Sequence, residues 1–277
     1  MAEGSDTGIE SVEKDGILCL TINGPKTRNS IGPAAYGALH AEIDRAGGDP
    51  SIRAVVLTGA NGFFSSGGNI NALKESAQGT LAEATARTDR LNALILAVAG
   101  CPKPVIAAIE GGAAGVAVGL ALACDLIVAG ATAKFTVANI RVGLSPDGGT
   151  TYFLRSALPR QLVMEMCLLG APMPAARLHA AGLVNVLAED GGALDAAMAL
   201  AATIAAGPPR ALAATKALVN TAPDHGLAEH LEAEAGAINP ARFGAEAAEG
   251  LAAFIARRPA DFGAPAGREP ISSKGRD

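Results

Sequence analysis

The feature that most constrains this fold is a recurring unit of strand, glycine-rich turn and helix, repeated at spacings of roughly fifty residues. Ile17–Ile22 is a β-type run that ends in the turn residues Asn23-Gly24-Pro25. Ala54–Thr58 reads as a continuous buried strand before Gly59-Ala-Asn-Gly62, and Val105–Ile109 as a third strand before the glycine-rich Gly111–Gly119. Short strands are also expected at Leu126–Ala129 and Lys134–Val137. Between the first two strands Pro33 opens a helix with Tyr36, Leu39 and Ile43 on one face, closed by Gly47-Gly48. Such alternation predicts an α/β architecture whose successive turns stack on one another. The stretch Asn71–Arg90 is polar, without periodicity at first and with helical spacing later.

Beyond about Asp190 the pattern turns helical, with amphipathic segments at Gly191–Ala206, Pro208–Thr221, Leu227–Gly236 and Ala245–Arg257. The expected organisation is a core over 1–195, a helical region over 196–262 that packs on a partner subunit, and a polar, disordered tail over 263–277.

Composition narrows the classes. Hydrophobic residues are 49% and charged ones 18%, as in a well-buried globular protein. With 3% aromatics and no Trp, the core must be filled by Ala, Val, Leu and Ile. A net charge of −5 without basic runs argues against nucleic-acid binding. The apolar stretch Val105–Ala131 is broken by Glu110 and Asp125, so no membrane span is expected, and no signal peptide is evident at the N-terminus. Four cysteines without CxxC spacing read as small core residues of a reducing cytoplasm, and four histidines without HExxH give no metal site.

Two glycine-rich turns carry the chemistry: Phe63-Phe-Ser-Ser-Gly-Gly-Asn-Ile70 and Gly111-Gly-Ala-Ala-Gly-Val-Ala-Val-Gly119. Each leaves a strand and enters a helix, where backbone N–H groups are unpaired. Side by side, two such starts would hold an oxyanion. Close helix–sheet packing through Gly111, Gly115 and Gly119 is the competing explanation. A dinucleotide fingerprint at Thr58–Gly62 fails for want of a third glycine. Tyr36 and Tyr152 also lack a Lys four positions on, since His40 and Ser156 stand there.

With both turns placed, the chain resembles the crotonase (enoyl-CoA hydratase/isomerase) family. The resemblance rests on Pro25-Lys-Thr-Arg-Asn29, on Val55–Gly59 with Phe64–Ile70, on Val105–Gly111 with Gly115–Asp125, and on Gly143–Thr150. The late Glu249–Phe254, Arg257–Pro259 and Phe262 complete it. It implies an α/β spiral of strand–strand–helix turns with a C-terminal helical region that forms trimers or dimers of trimers. It implies an acyl-CoA enzyme of lipid metabolism, with coenzyme A present only as part of the substrate thioester; the cysteines place it in the cytoplasm, and fatty-acid or aromatic-acid degradation goes with the hydratase alternative given below. It carries over Gly68 N–H and Val116 N–H as oxyanion donors, and Arg28, Ser66, Gly68, Asn69 and Ile70 as residues that touch the CoA.

The family's hydratases use two acids, at the positions that Gly119 and Asn139 hold here. Asp147, in Ser145-Pro-Asp-Gly-Gly149, matches the working acid of single-acid members such as 3,2-enoyl-CoA isomerases. The expectation is therefore an isomerase with Asp147 as acid/base, against a helix cap as the plainer role of Asp147. The alternatives are a 2-enoyl-CoA hydratase and, from another class, a non-catalytic acyl-CoA-binding or assembly protein. Family dehalogenases use Asp at this site with a Trp and a His; no Trp exists here. Glu110 has no evident role, and Glu75 lies where a loop acid would reach the pocket.

Overall fold

A computed structural model describes residues 7–263. The expected disordered tail therefore lies outside the described residues apart from Gly263, as do residues 1–6. Among the described residues the strands are β1 (Gly8–Lys14), β2 (Ile17–Asn23), β3 (Ala54–Gly59), β4 (Val105–Ile109), β5 (Gly112–Ala114), β6 (Leu126–Gly130), β7 (Lys134–Thr136), β8 (Met173–Pro174) and β9 (Val186–Ala188). The helices through the core are α1 (Pro33–Gly48), α2 (Ile70–Ser76), α3 (Leu81–Gly100), α4 (Val116–Leu122), α5 (Thr150–Ala157), α6 (Arg160–Leu169), α7 (Ala175–Ala180) and α8 (Ala193–Ala205). Then follow α9 (Pro209–Thr221), α10 (Leu227–Ala241) and α11 (Ala245–Ala256).

The larger sheet has the order β1-β2-β3-β4-β6-β9 and is parallel except for the β1–β2 hairpin. A smaller sheet, β5-β7-β8, stands beside it. The central strands are buried on both faces, which explains their unbroken apolar runs. Val55, Leu57, Val105, Ala107 and Ile109 face the main core under α1, α3 and α4. Ala54, Val56, Ile106, Ala108 and Val128 face α8, whose Ala193, Ala197, Ala201 and Ala205 form one buried stripe at a spacing of four residues. Alanines there let the helix lie close to the sheet, so a core poor in aromatics still packs.

The polar stretch after the first glycine turn is more ordered than its composition predicts. Asn69 caps α2 by accepting from the Asn71 and Ala72 N–H groups, and α3 starts at a capping box between Thr80 and Glu83. The C-terminal helices are tied back onto the core. Lys216 on α9 is almost fully buried and donates to Asp125 at 2.8 Å and to the carbonyls of Val98 and Lys103. Arg53 holds the carbonyls of Gly207 and Phe262. No helix among the described residues is long and apolar enough to cross a membrane.

Candidate active site

The two glycine turns meet at the junction of the two sheets. Ser65 pairs with Ala113 as a parallel bridge, through Ser65 N–H to Gly112 O and Ala114 N–H to Ser65 O. On its other side the first turn pairs with the segment before α1, where Gly68 bridges Ile31. Asn29 is the clamp for this region. Fully buried, it accepts from Gly24 N–H and donates to the carbonyls of Ala60 and Phe63, while its own carbonyl takes the Ser65 hydroxyl at 2.6 Å.

Gly67 shows how tightly the turns are pressed together. A Cβ there would lie 2.2 Å from Ala114 O and 3.4 Å from Val116 N, and its φ of +81° is one that side chains avoid. Gly115, at φ 53° and ψ −129°, likewise needs glycine to turn the chain into α4. The first turn thus lies against the backbone that enters α4 at Val116, and among the described residues neither Gly68 N–H nor Val116 N–H donates to a backbone carbonyl.

Gly68 and Val116 both line a cavity of 560 Å³. Its walls include Tyr36 of α1, the first turn from Gly68 to Ile70, the α3 face of Thr88 and Leu91, and Asn139 with Asp147. Asp147 is the one acid among the described residues that line it. The residue is exposed, its surface opening into the cavity, yet protein on its other sides desolvates it. Burial raises its pKa above the ordinary carboxylate value, and a hydrogen bond from Asn139 Nδ2 to Oδ1 at 3.3 Å opposes that rise.

Capping does not account for Asp147. Helix α5 begins at Thr150 with Gly149 at its N-cap and no side-chain cap bond. What Asp147 gives the helix is its backbone carbonyl, which accepts from Thr150 N–H and, at 2.7 Å, from the Thr150 hydroxyl. The carboxylate is left to the cavity.

Gly119 and Asp147 turn out to be physically linked. Gly119 is fully enclosed in α4, and a Cβ on it would lie 2.3 Å from Gly148 O and 2.8 Å from Thr150 Oγ1. The turn that carries Asp147 therefore occupies the space a side chain at 119 would need. Val116 has a related place: its Cγ2 would be 3.0 Å from a Cβ on Gly148, so its β-branched side chain fills the gap between α4 and that turn.

Other residues singled out in the sequence fall into place. Ser66, Gly68, Asn69 and Ile70 line the cavity, although the Asn69 carboxamide oxygen is engaged in capping α2. Arg28 is exposed beside the same turn, its carbonyl accepting Ser66 N–H and its guanidinium carbon 5.6 Å from the Phe63 ring centroid. Glu75 is exposed on α2 and takes no part in the lining, unlike Ala72, Leu73 and Ser76. Glu110 has a structural role: its Oε1 accepts from Ala193 N–H at 2.8 Å and so caps α8 from the end of β4. Among the described residues no group of three or more His, Cys, Asp or Glu is placed to hold a metal. Sequence reasoning missed Tyr36 as a cavity residue, because helical periodicity placed it in the core and nothing local marks which part of the core is hollow.

Comparison with known proteins gives the family and the fold. The family model described as Enoyl-CoA hydratase/isomerase matches residues 12–265. The 1,2-epoxyphenylacetyl-CoA isomerase of Escherichia coli (strain K12) is 32% identical over 92% of this chain and 97% of its own length. The 2,3-dehydroadipyl-CoA hydratase of the same organism is 32% identical over 89% of this chain and 94% of its own. Among solved structures, an enoyl-CoA hydratase from Polaromonas sp. JS666 superposes with a TM-score of 0.90 at 38% identity, covering 91% of this chain and 98% of that one.

Proposed function

Because the chain belongs to the enoyl-CoA hydratase/isomerase family and so is an enzyme of acyl-CoA thioesters, we propose that it is a single-acid isomerase of the 3,2-enoyl-CoA type. The observation that carries this reading is the contact between Gly119 and the Gly148 carbonyl, which leaves no room for a second acid and sets Asp147 in the cavity instead. Asn139, at the other hydratase acid position, supplies an amide rather than a carboxylate.

In this reading the thioester oxygen lies between the Gly68 and Val116 amides, and Arg28 with the Ser66–Ile70 turn holds the CoA. The Asp147 carboxylate takes a proton from C2 of a 3-enoyl thioester. The C2–H electron pair moves onto the carbonyl as an enolate, which the two amides stabilise. Asp147 then returns the proton at C4, and the double bond moves from C3–C4 to C2–C3. A pKa raised by desolvation suits a group that both takes and returns that proton. The name of the Escherichia coli epoxyphenylacetyl-CoA isomerase favours isomerisation, whereas that of the dehydroadipyl-CoA hydratase favours water addition.

The same proposal places the chain in a trimer, or a dimer of trimers, assembled through the helical region over 196–262. Phe243, Phe254 and Ile255 there are more than four-fifths exposed, a set of apolar side chains that a subunit contact would cover.

Incubation with 3-hexenoyl-CoA, followed by absorbance of the conjugated thioester, tests the reading. Formation of 2-hexenoyl-CoA that falls by about 100-fold or more in Asp147→Asn supports it. Rapid hydration of 2-hexenoyl-CoA that survives the substitution would sink it in favour of a hydratase.

A further inference from the structure

Helix α1 turns Ala35, Tyr36, Leu39, Ile43 and Ala46 inward. Four of these five are plain hydrocarbon, and packing alone would be served by Phe at the fifth. Tyr36 carries a hydroxyl instead, in a side chain only 8% exposed, at a place where α1 forms a wall of the active-site cavity. Ile31, Pro33, Leu91 and Val116 supply apolar parts of the same lining.

A buried phenol ordinarily finds a good partner. This one has the Ile31 carbonyl at 3.4 Å, well beyond the roughly 2.7–2.8 Å typical of an O–H···O bond. The donor is thus poorly used by the protein. It also lies within electrostatic reach of Asp147: burial first, and the Asp147 charge second, push its pKa up to about 12. At neutral pH it is a protonated donor on the wall of the cavity that holds the acid.

We infer that Tyr36 is a specificity residue that donates a hydrogen bond to an oxygen carried on the acyl chain beyond the reacting carbons. The substrate class is then an oxygenated acyl-CoA (bearing a hydroxyl, ether or ring oxygen) rather than a plain hydrocarbon one. The inference rests on the acyl-CoA reading of this cavity but not on which reaction Asp147 performs. A site whose buried donor awaits an oxygen discriminates against the analogue that lacks one, because the donor is then left without its partner.

The test uses two unreactive thioesters, hexanoyl-CoA and 6-hydroxyhexanoyl-CoA, titrated calorimetrically into the full-length protein and its Tyr36→Phe variant. The 5-hydroxy isomer completes the set, to bracket the position of the oxygen. The wild type is expected to prefer a hydroxylated ester by about threefold to tenfold. In the variant that ratio falls to about one, while an unchanged melting curve shows that the ring still fills its place. A wild type with no preference for either isomer, or a preference that persists in the variant, overturns the inference. Since these esters cannot isomerise, a Tyr36-dependent preference without turnover of 3-hexenoyl-CoA would leave the inference standing and remove the isomerase reading. Turnover without the preference would do the reverse.

Discussion

Gly119→Ala isolates the link between the α4 backbone and the acid. The added methyl would lie 2.3 Å from Gly148 O and 2.8 Å from Thr150 Oγ1. An ordinary contact needs roughly 3.5 Å, so the turn must retreat by about 1 Å. Neither obstacle is the free end of a flexible side chain, because Thr150 is 2% exposed and its hydroxyl is bonded to Asp147 O. Retreat therefore carries Asp147 with it. A misplacement of that size at a catalytic group costs about 100-fold in rate. Stability moves less: overpacking costs about 1–3 kcal/mol, offset by about 1 kcal/mol for replacing Gly with Ala inside a helix. The expected variant folds, with a melting temperature a few degrees lower, yet converts 3-hexenoyl-CoA about 100-fold more slowly. The assay is turnover on 3-hexenoyl-CoA beside a thermal melt of the same preparation. A variant that keeps its rate within about threefold would refute the argument, because the turn would then have given way without moving the acid.

Three further outcomes follow from the same geometry. Asn139→Ala removes the hydrogen bond that opposes the raised pKa of Asp147, so the acid limb of the kcat/KM profile should move to higher pH; an unmoved limb would show that the contact only packs. Asp147→Asn should raise the melting temperature at pH 7. A carboxyl with a raised folded-state pKa holds its proton more tightly folded than unfolded, so its ionised form disfavours the fold above that pKa. The gain should shrink as pH falls through the raised value toward 3.8, and a variant no more stable than wild type at pH 7 would count against desolvation of this group. Lys216→Met leaves Asp125 buried without its cation and should cost about 3 kcal/mol in denaturant unfolding, whereas a loss under about 1 kcal/mol would mean that Lys216 is not what ties α9 to the core.

Much of this molecule is legible along the chain, and the exceptions share a cause. The central strands announce themselves because both faces are buried. The β1–β2 hairpin escapes the same reading because β1 is almost wholly exposed, yet its turn carries a local signal in Asp15-Gly16, both at positive φ. The start of α3 is likewise written locally, in Thr80 and Glu83. Helices α5, α6 and α7 are only 8, 10 and 6 residues long, too short for an apolar period to stand out. The roles of Glu110, Gly119 and Tyr36 are different in kind. Each depends on a partner far along the chain: Glu110 on Ala193, Gly119 on Gly148, and Tyr36 on the cavity shared with Asp147. No pattern in the neighbouring residues encodes those meetings, and only the folded chain brings the partners together.

The proposed donor pair and the proposed acid are built in different ways, and under that proposal the difference bears on how the chemistry is chosen. Both donors are backbone groups, pinned by the Ser65–Ala113 bridge and by Asn29, whose side chain binds three backbone groups on two segments. A side chain as bulky as Val116 can then occupy the second donor position without disturbing the amide. The acid instead depends on one turn, held by Thr150, Asn139 and the absence of a side chain at 119. With the backbone as it stands, a carboxylate at position 119 and the Asp147 turn exclude each other. Gly119→Glu alone should therefore not create a two-acid hydratase. It should displace Asp147 and lose proton transfer before any hydration appears, so a reaction change in this pocket has to begin with withdrawal of the 147–150 turn.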